Sequence, residues 1–256
     1  RPLHVLARPK IGRHSTKRVC FHQLAAPLPR GAFLEIAPGV AVCSPELVFV
    51  QLAETLPMGE LIALGYEFCG CYPLEANRSG ALVRAQLTTP ARLSAFVNRV
   101  ERMKGLRKAR IAVQFVYAKS ASAKETEMDA LLMTPMRWGG LSLPPALANE
   151  PVALSEEAAR IARGDRVVCD LLWPQARVAA EYDGLAFHGG RHQQARDSRR
   201  RDALIADGFD VVTVTSSQID SVSEFIEIAD ALSRKTRGRT PVRPVSFLDR
   251  HLQLRH

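Results

Sequence analysis

Two acids set among apolar residues carry the strongest chemical signal in this chain: Asp170 in RVVCDLLWP and Glu181 in VAAEYDG. The stretch from Arg166 to His188 reads as two apolar runs punctuated by Trp173-Pro174-Gln175-Ala176, the pattern of a β-hairpin with a short connection. With that connection as the turn, Asp170 is predicted opposite Ala179 and diagonal to Glu181, both acids on one face. Carboxylates among Val, Cys, Leu and Ala lose hydration, so hydrogen bonds, protonation or a cation must offset the cost. A hard divalent ion such as Mg²⁺ takes one or two carboxylates and keeps several waters, and the Tyr182 carbonyl is a further oxygen beside Glu181. Asp183 shares the face of Glu181 by strand parity. Gly184 then breaks the strand and His188 follows in the loop, placed to act as a base or to hydrogen-bond a phosphate or water. The plainer alternative makes Asp183-Gly184 a turn and His188 an ordinary loop residue.

The elements that must position these acids are legible on either side. Ser122-Ala123-Lys124-Glu125 fits a capping box and predicts a helix ending before Pro135, with Glu125 either a first-turn carboxylate or an acid directed at the hairpin. Met136 to Glu150 contains two prolines and two adjacent glycines and predicts a loop with one short strand, anchored to the core by Trp138. Leu154 to Arg163 reads as a short helix or a displaced loop. After the hairpin, a helix is predicted from about Gln193 to Asp207, following a segment that carries Arg191. Arg196 and Arg200 fall at i,i+4, with Arg199 and Arg201 adjacent. Guanidinium groups so placed suit phosphate binding, and ordinary surface salt bridges are the alternative. DVVTVT, Asp210 to Thr215, is a β-branched strand, and a last helix is predicted from about Gln218 to Lys235, capped by Ser216 or Ser217.

The order Ser122-x-x-Glu125, CDLLWP, AEYDGxxxH and RDxxRRxxLxxxGF resembles the very-short-patch-repair-like nuclease domain of the PD-(D/E)xK restriction-endonuclease-like superfamily, over roughly Ser122 to Ser233. That resemblance implies a mixed sheet flanked by helices, Mg²⁺- or Mn²⁺-dependent phosphodiester cleavage and DNA as substrate. It directs Glu125 toward the metal centre. One position departs: the usual lysine two residues after the second acid is Asp183 here. The stretch from His4 through SPELVFVQLA, Ser44 to Ala53, resembles the middle region of the abortive-infection type IV antitoxin-like family, which makes a protein toxin a conceivable partner.

The N-terminal part predicts short strands at Leu3–Ala7 and Arg18–His22 and a pair around Pro38-Gly39. A Ser44-capped helix with Pro45 at its first position should stop at Pro57. A helix from Gly59 to Gly65 follows, with YEFCGCY after it as a short strand or an aromatic-rich loop. Thr89-Pro90 starts another helix, and one more spans Leu106 to Lys119. The discontinuity near Ser120 divides 256 residues, 46% hydrophobic, into two units of adequate core size. A formal charge of +9 suits a polyanionic partner without identifying one. Five cysteines without paired zinc-ribbon spacing read as reduced and structural, and Cys69-Gly70-Cys71 is a weak metal or redox pair. No apolar run spans a bilayer and no secretory leader is visible, so a soluble, cytoplasmic protein with no membrane association is expected, and the nuclease resemblance implies a bacterial one. Since the chain starts at Arg1 rather than Met, the natural protein is expected to carry a further segment before Arg1.

The resulting expectation is an α/β chain in three parts. Residues 1–120 form a smaller α+β domain, 121–236 a restriction-endonuclease-like domain, and 237–256 a basic extended tail. The expected activity is DNA cleavage with metal at Asp170, Glu181 and the Tyr182 carbonyl. Glu125, Asp183, His188 and Arg200 assist the reaction, and Arg191, Arg196, Arg199 and Arg200 contact nucleic acid. A DNA-binding antitoxin or regulator that keeps the scaffold without turnover, and a toxin-binding or structural protein, are the alternatives.

Overall fold

The computed structural model describes residues 2–7, 16–23, 27–70, 85–116, 122–184 and 191–255, with the backbone alone at 7, 23, 123 and 191–194. His188 and residues 117–121 therefore lie outside the described residues.

The C-terminal part is a four-stranded mixed sheet between helical layers. β5 (Leu147–Ala153), β6 (Arg166–Trp173), β7 (Val178–Asp183) and β8 (Asp210–Thr215) lie side by side in that order. The β5–β6 and β6–β7 pairs are antiparallel and β7–β8 is parallel. Parallel neighbours need a crossover, and α7 (Arg191–Ala206) supplies it. One face of the sheet buries Leu171, Trp173, Val178, Ala180 and Val214. They pack against Met128, Leu131 and Leu132 of α5 (Ala123–Met133) and Phe225, Ala229 and Leu232 of α9 (Val222–Arg237). The other face buries Val167, Cys169, Leu172 and Ala179 against Leu204 of α7, with Ala162 of α6 (Glu156–Ala162) at its margin.

The preceding region is a smaller α+β unit with its own core. A parallel pair, β1 (Leu3–Ala7) with β2 (Val19–Gln23), and an antiparallel pair, β3 (Phe33–Ala37) with β4 (Val40–Cys43), precede the helices. Those helices are α1 (Pro45–Leu52), α2 (Met58–Cys69), α3 (Pro90–Arg99) and α4 (Leu106–Ala112). Ser44 and Thr89 cap α1 and α3 as their Ser-Pro and Thr-Pro sequences predict, accepting from Leu47 N–H and Arg92 N–H at 3.2 Å each. Phe49, Val50, Leu61, Ile62, Leu93 and Phe96 fill the centre. Among the described residues no helix is long and apolar enough to cross a membrane.

Several boundaries differ from the sequence reading for identifiable reasons. α2 runs on to Cys69 instead of ending at Gly65, so Tyr66 to Cys69 are helical. Gly65 is an interior packing residue here, since a Cβ on it would stand 2.4 Å from Val116 Cγ2. The helix from Leu106 ends as a 3-10 turn at Val113–Phe115. β5 is a seven-residue strand whose Pro151 obscured it; proline is tolerated there because β5 is the sheet edge. The last predicted helix is two. Thr215, rather than Ser216 or Ser217, caps the short α8 (Ser216–Asp220) through a capping box with Gln218, and Ser221 caps α9.

The C-terminal residues are not an extended tail throughout, because Phe247–Arg255 form α10. Phe247 is buried in the sheet core and Leu254 packs beside it. The Nδ1 of buried His251 lies 2.7 Å from Gly139 O, and Arg255 Nε donates to His251 Nε2 at 3.1 Å. Since Nε2 must accept from that guanidinium, Nδ1 carries the proton and donates to the carbonyl. Gly139 permits this approach: its φ is 95°, and a Cβ there would meet Arg250 O at 2.2 Å.

Candidate functional site

The hairpin forms in a register two residues from the predicted one. Leu171 pairs with Ala180, Leu172 with Ala179 and Trp173 with Val178, whereas the sequence reading set Asp170 opposite Ala179. Trp173 is the last strand residue and not part of the turn. Its ring is buried and its Nε1 donates to Pro144 O at 2.9 Å. The connection is a 3-10 turn at Pro174–Ala176, closed by Arg177 at φ 51°. The cost of that left-handed backbone is offset by the Arg177 guanidinium, which lies 4.7 Å from the Phe209 ring centre and donates to Gly208 O at 3.3 Å.

This register leaves Asp170 one step beyond the last regular β6–β7 pair. Its Oδ2 accepts from Tyr182 N–H at 2.7 Å, so a carboxylate occupies a place that a backbone carbonyl fills in an unbroken ladder. The strand also turns over at this point. Val167 and Cys169 face the α7 side, whereas Leu171 and Trp173 face the α5–α9 side, although unbroken alternation would keep all four together. Across from the break, on β5, Asn149 holds φ 49°.

Glu181 lies on the α7 face by alternation from Ala179 and is 5% exposed. Its Oε2 accepts from the Arg200 guanidinium of α7, and its Oε1 is buried without a hydrogen bond of good geometry. Burial raises the Glu181 pKa to about 7. The Arg200 charge opposes that rise and the Asp170 charge adds to it. Asp170 is raised as well, chiefly by burial, while the Tyr182 N–H and Arg200 pull it down and Asp197 pushes it up. Arg200 is raised because the attraction of Glu181 and Asp170 outweighs its desolvation. Beside them the Cys169 thiol is pushed up to about 12, first by burial and then by the Glu181 charge, which keeps it protonated and unreactive. The arrangement is two desolvated acids facing one guanidinium, with Glu181 otherwise held by the Asp170 backbone N–H and the Cys169 thiol and its Oε1 lacking a hydrogen bond of good geometry. A cation could satisfy that oxygen.

The remaining predicted residues do not all gather at this centre. Asp183 is at the exposed end of β7, paired with Thr215 of β8. The Tyr182 side chain points to the opposite face, where its hydroxyl lies 2.6 Å from Ser216 Oγ. Glu125 is in the first turn of α5, where its N–H donates to Ser122 Oγ at 3.2 Å; α5 covers the face of the sheet away from Glu181. The Glu125 charge is not among those that shift Asp170 or Glu181. On α7, Arg196 is exposed, and Arg199 is half-buried with its Nε lacking a hydrogen-bond partner. The Arg191 side chain and His188 are outside the described residues. Asp197, absent from the predicted site, acts on both Asp170 and Arg200. Its i+3 spacing to Arg200 was the available clue. A cavity of about 1070 Å³ lined by Met58, Leu106, Arg107, Trp138, Arg250 and Leu254, among others, shares no residue with the acid pair. Carboxylate burial identifies the candidate site better than concavity does here.

Comparison with known protein families, with curated proteins and with solved structures gave no match for this chain.

Proposed function

We propose that the C-terminal part is a divalent-metal-dependent nuclease that hydrolyses DNA phosphodiester bonds at Asp170 and Glu181. The observation carrying this reading is the buried Glu181 Oε1 without a good hydrogen bond, beside a second acid whose pKa is also raised. Two such carboxylates are costly to hold together unless a cation joins them, and oxygen donors suit Mg²⁺ or Mn²⁺. Such an ion, when bound, lowers the pKa of a coordinated water and polarises the phosphoryl oxygen. In this reading Asp170 and Glu181 would hold the ion, with the Tyr182 N–H fixing the orientation of Asp170. Arg200, only partly buried, exchanges its contact with Glu181 for the phosphate and stabilises charge developing there. The exposed Arg196 offers a phosphate contact one turn earlier, and the net charge of +9 favours a polyanionic substrate. Release of metal-dependent fragments from single- and double-stranded DNA, with RNA alongside, tests the reading against variants Asp170→Asn and Glu181→Gln.

The Glu181–Arg200 ion pair itself favours a second reading, a nucleic-acid-binding antitoxin or regulator in which the guanidinium permanently replaces the metal. DNA binding that persists without any metal-dependent cleavage selects that alternative.

A further inference from the structure

We propose that His4, Cys20 and His22 form a site for a thiophilic transition ion, Zn²⁺ in the first place, which clasps β1 to β2. The parallel register sets His4 directly beside Cys20, and His22 follows two residues along on the same side of β2. The two imidazoles stack with ring centres 5.0 Å apart and planes at 18°. His4 Nδ1 and His22 Nε2 are 2.7 Å apart, and one ligand atom from each of the three residues lies within 4.8 Å of the others. Among the described residues this is the one such group of three.

The distances suit a small tetrahedral ion. With Zn–N near 2.0–2.1 Å and Zn–S near 2.3 Å, tetrahedral ligands sit about 3.3 Å apart for two nitrogens and about 3.6 Å apart for nitrogen and sulfur. The nitrogens need to open by roughly half an ångström and the sulfur to close by at most about 1.2 Å, which side-chain rotation supplies on an exposed strand pair. Binding displaces the hydrogen bond between the two rings, the bridging proton passing to the other nitrogen of its own imidazole, and releases the Cys20 thiol proton, so uptake weakens as pH falls. Three protein ligands leave the fourth position to water, since both histidines are exposed.

Ligand softness separates this site from the acid pair. Thiolate and imidazole select Zn²⁺ or its neighbours over Mg²⁺, whereas Asp170 and Glu181 offer only hard oxygen. A two-stranded sheet is marginal by itself, and since β1 touches the core through Leu6, a metal bridging its exposed side adds to that anchorage.

The test uses the full chain with Zn²⁺ and Co²⁺ as probes, and iodoacetamide labelling mapped by peptide mass. One Zn²⁺ per chain should bind, Co²⁺ should give the intense absorption of a tetrahedral thiolate site, and Zn²⁺ should protect Cys20 from alkylation at least about 10-fold. Cys20→Ala and His22→Ala should each weaken binding by about 10-fold or more. Alkylation of Cys20 at the same rate with and without Zn²⁺ in the unsubstituted protein overturns the proposal, even if the variants fold poorly. Undiminished one-to-one binding by the doubly substituted protein does so too.

Discussion

Replacing Glu181 by Gln should stabilise the protein at alkaline pH and leave its stability nearly unchanged in acid. The amide side chain keeps the shape and neutrality of protonated Glu181 and can still accept from Arg200. Because burial lifts the Glu181 pKa from 4.5 to about 7, ionising it in the folded chain costs about 3 kcal/mol more than in the unfolded chain, as an upper figure. The favourable attraction of Arg200 is already contained in that difference, and desolvation exceeds it. The native state therefore holds its proton more tightly than the unfolded state. The corresponding stability is complete below pH of about 4.5 and is lost as pH rises to about 7 and beyond. Urea unfolding at pH 4 and pH 8 reads the effect: Glu181→Gln should match the parent at pH 4 and exceed it by up to about 3 kcal/mol at pH 8. A variant less stable than the parent at pH 8, by the same margin as at pH 4, would refute the reasoning and make the Glu181–Arg200 pair a net stabilising ion pair. Increased stability with loss of metal response is the mark of a residue retained for function.

Other perturbations separate the contributions of neighbouring elements. Arg200→Met should cost about 1–3 kcal/mol at pH 8 and less at pH 5, where Glu181 is protonated, as two urea titrations will show; equal losses at both pH values argue against it. Arg200→Ala and Arg196→Ala should each weaken binding to unrelated DNA sequences and lower the slope of log affinity against log salt, with single-turnover cleavage falling mainly for Arg200→Ala. Unchanged binding, slope and cleavage in the double variant would make α7 an ordinary structural helix. Phe247→Ala should cost about 3 kcal/mol or more in thermal or urea unfolding, since its ring is 3% exposed in the sheet core, and a loss below about 1 kcal/mol would mean that α10 docks weakly. Burial lowers the His251 pKa below its ordinary value, so its contribution is present above that value and is lost as pH falls from there through the folded-state pKa; His251→Gln should flatten the acid limb of a stability profile measured by urea unfolding.

The parts legible in the sequence were those with local causes. Ser44-Pro45 and Thr89-Pro90 specified two helix starts, and the β-branched run at Asp210 to Thr215 specified β8 to the residue. The mixed sheet between helices follows from the same local patterns, whereas its relation to any nuclease family rests on the motif resemblance alone. What local pattern left open was decided by tertiary contact. Trp173 read as a turn residue until Pro144 gave its indole a partner, and that shifted the hairpin register by two. Because the shift is even, the observed register continues to place Asp170 opposite Glu181, and at the point where β6 turns over the Asp170 carboxylate accepts from the Tyr182 N–H. The Arg200 contact could be proposed from its place on the next helix, but the contribution of Asp197 depends on how α7 crosses the sheet. His4 and Cys20 are remote in sequence and meet only through parallel pairing, which no local period reports.

Metal-dependent cleavage by the purified chain is the most direct test of the central claim. Labelled DNA should be incubated with Mg²⁺, Mn²⁺ or chelator, beside Asp170→Asn and Glu181→Gln purified in parallel and shown by near-ultraviolet circular dichroism to be folded. The account predicts fragments only with the divalent ion and only from the parent protein. Cleavage at the parent rate by both variants, or none by the parent on any DNA form with either ion, would contradict it.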